Sequence, residues 1–312
     1  MPMDVETHAA LGLDLPTPVE VNGRSNADGA RAIGHPDDGL YHPCAAAYLH
    51  PETRPGPVAK YADWADSAIY PGTVRDLWVY APADYDGKTP LRLIVCNDGQ
   101  AYLSRRGAVR VTHVLDNLHA RGKTPPTAAV FINPGRPPGT VFDGTHPFAD
   151  AAAAQRSVEY DTLSPAYGRF LLEEILPMVA RDQGLVFSED PRQRAVCGIS
   201  SGGICAFSVA WFHPEAFARV ISHCGSFVNI RGGHNYPYLV RTTPRKDIRV
   251  FLQSGEQDIR TLFGDWPTAN LSMAAALEYV GYDYRFIYGQ GGHTLRHGCA
   301  IFDDTLTWLF AE

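Results

Sequence analysis

Short, nearly continuous apolar runs punctuate the chain from residue 74 onward: VRDLWVYAP, LRLIVC, TAAVFIN, RQRAVCG, ARVISHCG, IRVFLQSG and YRFIYG. Runs this short, with few polar interruptions, predict strands buried on both faces of a sheet. Most are separated by stretches with apolar residues at helical spacing. In SPAYGRFLLEEILPMVARDQG, Leu171, Leu172, Ile175, Leu176 and Val179 form one stripe. Ser164-Pro165 marks its entry, Gly184 its end, and Pro177 predicts a kink. Further helices are expected at GICAFSVAWFH, PTANLSMAAALEYVG and CAIFDDTLTWLF. Strand–helix alternation of this kind predicts an α/β protein: a mainly parallel central sheet flanked by helices in a single domain. The preceding stretch has no such period. Residues 1–65, rich in Pro, Gly, His and Asp, are expected to form an irregular N-terminal arm packed on a main domain spanning 66–312.

Composition narrows the function classes. The chain has 312 residues, 45% of them hydrophobic, which suits one substantial core. A formal charge of −7 and the lack of any Lys/Arg block argue against a nucleic-acid partner. No apolar run is long enough for a bilayer, so no membrane partner is expected. The opening MPMDVETHAA has neither a basic leader nor an apolar stretch, which favours a cytoplasmic location. The six cysteines, at 44, 96, 197, 205, 224 and 299, form no CxxC and several sit in strand-like runs. They are expected to be buried free thiols, in keeping with a reducing compartment. The irregular arm is long enough to reach a second copy, so a homo-oligomer is a further expectation.

The chemistry concentrates in RQRAVCGISSGGICAFSVAWF, a strand, a glycine-rich turn and a helix. A Walker-type phosphate loop would need a lysine after the last glycines, and none is there. A dinucleotide loop needs G-x-G-x-x-G, which Gly198, Gly202 and Gly203 do not match. The stretch does fit G-x-S-x-G, in which the glycines allow a sharp strand-to-helix turn that exposes the central serine. That makes Ser200 the candidate nucleophile; the competing reading is a helix-entry turn capped by Ser201. A serine needs a base, and in this turn type the chain order is Ser, then Asp or Glu, then His. FLQSGEQDIR offers Glu256 and Asp258 at one strand end, and YGQGGHTLRHG offers His293 and His297 at the next. His293 directly follows Gly-Gly at the strand end and is the better base. HTLRH lacks the Glu of a zinc-binding H-E-x-x-H helix, so no metal is expected. An oxyanion hole should use the N–H of Ser201 and one from the NDGQ turn, for which Gln100 is the candidate. His213, His223 and His234 read as structural or pocket-lining, with His223 nearest the chemistry.

Together the segments SAIYPGTVRDLWVYAP, VCNDGQAY, RSVEYDTLSPAYGRFLLEEILP, CGISSGG, SGEQD and GGHTLRHG resemble the esterase D-type α/β-hydrolases, the group of enterochelin esterases and family-one feruloyl esterases. The resemblance runs from about residue 66 to the C-terminus. It implies an α/β-hydrolase fold with nucleophile Ser200, base His293 and acid Asp258, Glu256 being the fallback. Gln100 would belong to the oxyanion loop, and Arg156 and Glu159 would shape the pocket or pair structurally. The implied reaction is hydrolysis of a small-molecule carboxylic ester through an acyl-enzyme, without metal or organic cofactor. Acyl transfer or lactone opening on the same triad is the alternative, and a binding protein that has lost catalysis a more distant one. Siderophore-like, acylated-sugar and aryl esters are the substrate classes. No long cation-rich insertion announces a trianionic siderophore. Aromatics near expected loops (Tyr102, Phe142, Phe227, Tyr236, Tyr238, Trp266) suit an aryl or sugar ester.

Overall fold

The computed structural model describes residues 20–21, 23–25, 35–141 and 151–311; Phe142 lies outside them. Eight strands form one sheet: β1 (Val58–Trp64), β2 (Arg75–Tyr80), β3 (Arg92–Asn97), β4 (Thr127–Ile132), β5 (Arg194–Ile199), β6 (Arg219–His223), β7 (Arg249–Gly255) and β8 (Asp283–Gly289). Their spatial order is β8-β7-β6-β5-β3-β4-β2-β1. β1 and β2 run antiparallel to their neighbours, and every pairing from β4 through β8 is parallel. All seven apolar runs are strands of this sheet. β1 is the strand the apolar pattern does not announce, and it lies ahead of residue 66. Its sequence, VAKYADW, is half-buried to exposed, as an edge strand's can be, and its register slips between Tyr61 and Trp64.

Alternation along each inner strand feeds two cores, one per face. Leu93 and Val95 of β3, Val196 of β5, and Val220 of β6 pack with Phe170, Ile175 and Phe207 from helices on one face. Ile94 and Cys96, Cys197 and Ile221 pack with Val114, Phe302 and Leu306 on the other. All six cysteines are free and buried. The helix before β5 enters at Ala166, with Ser164 Oγ accepting from the Ala166 N–H, and ends at Gly184 in the left-handed region. Where Pro177 predicts a kink, the helix has a π-helical turn over Phe170–Ile175, immediately before Leu176-Pro177. Proline has no N–H to donate, and the wider turn absorbs the missing bond.

Residues 44–50 of the arm pack on its own domain. Cys44, Ala46 and Ala47 join the second core, while Asn117 donates to Ala46 O (2.8 Å) and Tyr48 O (2.9 Å) and accepts from His50 N (3.1 Å). Arg75 and Glu159 make a fully buried bidentate ion pair across the sheet face, at 2.7 and 2.9 Å.

The parallel topology puts the ends of β3, β5, β7 and β8 on one rim. The chain turns back between β3 and β5, which are neighbours, so the rim has a switch point there.

Candidate active site

β5 leaves the sheet through Gly198, where a Cβ would lie 2.1 Å from Gly202 O, so only glycine allows the helix to start so close. Ser200 occupies the tip at φ 59°, ψ −123°, a conformation a residue with a Cβ adopts only under strain, at about 1–3 kcal/mol. The turn is tied down on both sides. Ser200 N donates to His223 O at 2.9 Å, and Ser200 O accepts from Gly203 N (2.9 Å), Ile204 N (3.1 Å) and Ser226 N (3.1 Å). Ser201 opens the helix Ser201–Phe212, so its N–H has no intrahelical acceptor and is available to a ligand.

The Ser200 hydroxyl lies 3.2 Å from Ser226 Oγ, which also accepts from Trp266 Nε1 at 3.2 Å. With the indole donating to it, Ser226 is disposed to donate its own proton to Ser200 Oγ, leaving the Ser200 proton for a base. Trp266 also stands edge-on to His293, with ring centroids 5.9 Å apart.

His293 Nδ1 and Asp258 Oδ1 are 2.5 Å apart. Asp258 takes two further bonds, from Ser254 Oγ (2.9 Å) and Ile259 N (2.8 Å). Burial alone would raise its carboxyl, but the charge and hydrogen bond of His293, with the other two donors, outweigh it and hold the pKa below the ordinary value. Glu256, by contrast, has an exposed side chain. Of the two acids in the strand-end loop, Asp258 is the one that reaches the histidine. His297 is elsewhere, buried with Nδ1 3.2 Å from Gln253 Nε2 and stacked on Tyr41. Cys224 lies beside the pair, its Sγ within 4.8 Å of the Asp258 and His293 donor atoms. Such a set could ligate a cation, although the acid and base already satisfy one another directly.

The second expected oxyanion donor is engaged: Gln100 N donates to Asn133 Oδ1 at 3.0 Å. The turn that carries it is held by Asp98, in the left-handed region at φ 50° and clamped by Arg156 through two bonds of 2.9 and 2.8 Å. Arg156 therefore supports the turn that carries Gln100. Glu159 is not beside it chemically: its oxygens take Arg75, Gly135 N (3.2 Å) and Gln155 (3.0 Å), and its side chain is fully buried, leaving nothing for a substrate. His223 contributes through its main chain. Its ring is buried, with Nδ1 2.9 Å from Tyr102 OH and Phe251 and Phe302 alongside. Tyr102, Phe227 and Tyr236 are likewise core, while Tyr238 is exposed.

Burial, reinforced by His297, pushes the His223 imidazole down to about 3 from 6.5. The unfolded chain then takes up a proton below 6.5 that the folded chain refuses down to about 3, so this group costs stability as pH falls through that window. Urea unfolding should show the His223→Gln variant losing about 2 kcal/mol less than wild type between neutral and mildly acid pH. Parallel losses in both proteins would refute the assignment.

Sequence reasoning did not single out Ser226, Asp98 or Trp266's link to the serine. Ser226 and Asp98 both follow the C-terminal end of a strand, and the rule that such ends gather function could have found them.

A strained serine at a strand–helix elbow, with an acid–histidine pair from two later strand ends of this sheet, fits an α/β-hydrolase fold. Residues 70–297 match the Esterase family, described as "Putative esterase". The chain belongs to that family. It is 26% identical over 165 residues to an iron(III) enterobactin esterase of Dickeya dadantii, covering 53% of this chain and 32% of the relative. Among solved structures it is similar to the enterobactin esterase of Shigella flexneri in the presence of 2,3-dihydroxy-N-benzoyl-glycine (TM-score 0.64, 20% identity, 86% of this chain and 62% of that one). It is also similar to a ferulic acid esterase from Anaeromyces mucronatus in complex with ferulic acid (TM-score 0.61, 14% identity, 86% and 96%). The chain thus spans a third of the curated relative and under two thirds of the Shigella protein. No helix among the described residues is long and apolar enough to cross a membrane.

Proposed function

We propose that the protein hydrolyses a carboxylic ester with an aromatic acid or acyl portion, using Ser200, His293 and Asp258. The observation that carries this reading is the 2.5 Å Asp258–His293 contact on the rim that also bears the strained Ser200. His293 takes the Ser200 proton as Oγ attacks the ester carbonyl, and returns it to the departing alkoxide. Asp258 keeps the Nδ1 proton in place and stabilises the imidazolium. The Ser201 N–H faces the developing oxyanion, and Gln100 N–H joins it by exchanging Asn133 Oδ1 for the substrate oxygen. Water then attacks the acyl-enzyme by the same steps and releases the acid.

The aromatic preference rests on the relatives. The Shigella structure was solved in the presence of a dihydroxybenzoyl amide and the Anaeromyces structure in complex with ferulic acid, both aromatic acid derivatives. Treatment with a fluorophosphonate, followed by peptide mapping, tests the nucleophile. One adduct on Ser200, absent from Ser200→Ala and His293→Ala, is the expected result; no adduct on folded protein would refute it. Product analysis with an added alcohol should give free acid, whereas mainly new ester would make the enzyme an acyltransferase.

A further inference from the structure

The arm reaches the loop that carries His293. Asp38 is buried, and its Oδ1 accepts from Gly292 N at 3.0 Å, one residue from the base. Tyr41 OH accepts from Gln290 N at 3.1 Å, and its ring stacks on His297 with centroids 4.2 Å apart. Cys44 N donates to Cys299 O at 3.2 Å just beyond. The loop has no other slack on this side. A Cβ at Gly291 would lie 2.9 Å from Asp38 Oδ1 and 3.0 Å from the Tyr41 ring, and one at Gly255 of β7 would meet Gly291 O at 2.0 Å. The Gly-Gly that precedes His293 is thus pressed between β7 and the arm. Two successive glycines would otherwise leave the base on a permissive tether. Asp38 also keeps its second oxygen, Oδ2, buried without a hydrogen-bond partner among the described residues, an arrangement costly for a residue whose only task is packing.

We infer that residues 35–44 brace the catalytic-histidine loop, with Asp38 and Tyr41 as positioning residues that fix the main chain at Gly292 and Gln290. The inference rests on His293 being the base. Asp38 touches no reacting atom and acts only through the loop. Displacing a catalytic group by about 1 Å costs up to about 100-fold in rate, and without Asp38 one N–H beside the base loses its anchor.

The test compares Asp38→Ala, Asp38→Asn and Tyr41→Phe by steady-state kinetics on an aryl ester. It also follows by NMR the downfield proton shared by His293 and Asp258, which needs no turnover. Asp38→Ala should lower kcat by about 10- to 100-fold with KM within about twofold of wild type, and broaden the shared-proton resonance through exchange with water. Asp38→Asn keeps an oxygen for Gly292 N and should restore both. Tyr41→Phe retains the stacking and loses only the acceptor for Gln290 N. It should broaden the resonance and lower kcat less than Asp38→Ala does, and it serves if Asp38→Ala does not fold. Wild-type kcat with a sharp resonance in Asp38→Ala or, if that variant does not fold, in Tyr41→Phe would overturn the brace. So would equal damage in Asp38→Asn and Asp38→Ala with the resonance unchanged. Should Ser200→Ala retain hydrolysis, the assignment of Ser200 as nucleophile fails, and should the wild type hydrolyse no ester, the ester reading fails, yet in either case the resonance still decides the brace.

Discussion

Ser200→Ala should reduce kcat by about 10⁶-fold while leaving KM nearly unmoved. The hydroxyl is the attacking atom in the proposed scheme, and substrate binding does not depend on it. The residual rate would come from the oxyanion donors and the pocket alone. His293→Ala should fall by a similar factor, and the double variant no further, because serine and base act as one unit. The elbow supplies an internal control. Alanine keeps the Cβ that strains the backbone at φ 59°, whereas Ser200→Gly removes it. The glycine variant should therefore be as inactive as the alanine one but more stable, by about 1 kcal/mol or more. Thermal unfolding of the two, alongside their kcat values, checks both halves. A Ser200→Ala enzyme that kept most of its turnover would remove Ser200 from the chemistry. Equal stabilities would show that the turn relaxes when the side chain is cut.

The interior of the fold was legible because burial on both faces leaves so little choice of residue. LRLIVC and RAVCGI have one polar residue each to misread, and both became central strands. VAKYADW failed the same test because an edge strand need not be apolar. The elbow was legible for a different reason: Gly198 is demanded by a close approach that no other residue permits, and Gly202 packs tightly against Asn97 and Asp98. Asp258 and Glu256 could not be separated by spacing, since both sit in one loop and only the fold of that loop turns one inward. Gln100 shows a limit of another kind. A turn glycine marks where the backbone can approach a substrate, but says nothing of Asn133, 33 residues away, which takes the same N–H in the folded protein. Arg156 and Glu159 illustrate how adjacency misleads: they lie on one helix and pair with Asp98 and Arg75, on different strand ends, rather than with each other. The arm's contact with the histidine loop, some 250 residues on, has no local sequence signal at all.

Asp258→Asn should lower kcat/KM by about 10³-fold, less than the roughly 10⁴-fold loss expected when the substituted amide forces the histidine into the wrong tautomer. The difference lies in the two other donors on this carboxylate. Ile259 N–H points at Oδ1, the oxygen facing His293 Nδ1, and cannot turn away. An amide nitrogen there would meet two N–H groups, so the oxygen of the introduced amide must stay at that position. The nitrogen then falls where Oδ2 was, opposite Ser254 Oγ, and a hydroxyl can rotate from donor to acceptor. His293 thus keeps its Nδ1 proton and its orientation, and what is lost is the charge facing the imidazolium. At an effective dielectric near 20 and a separation of about 4 Å, that charge is worth about 4 kcal/mol, or about 10³ in rate. Asp258→Ala, which loses orientation too, should fall further. Adding Ser254→Ala to Asp258→Asn should change little, because the orientation is set by Ile259. A full 10⁴-fold loss in Asp258→Asn, relieved by Ser254→Ala, would mean that the serine and not the main chain dictates the amide. Near wild-type activity in Asp258→Asn, with Glu256→Gln inactive, would transfer the acid's role to Glu256.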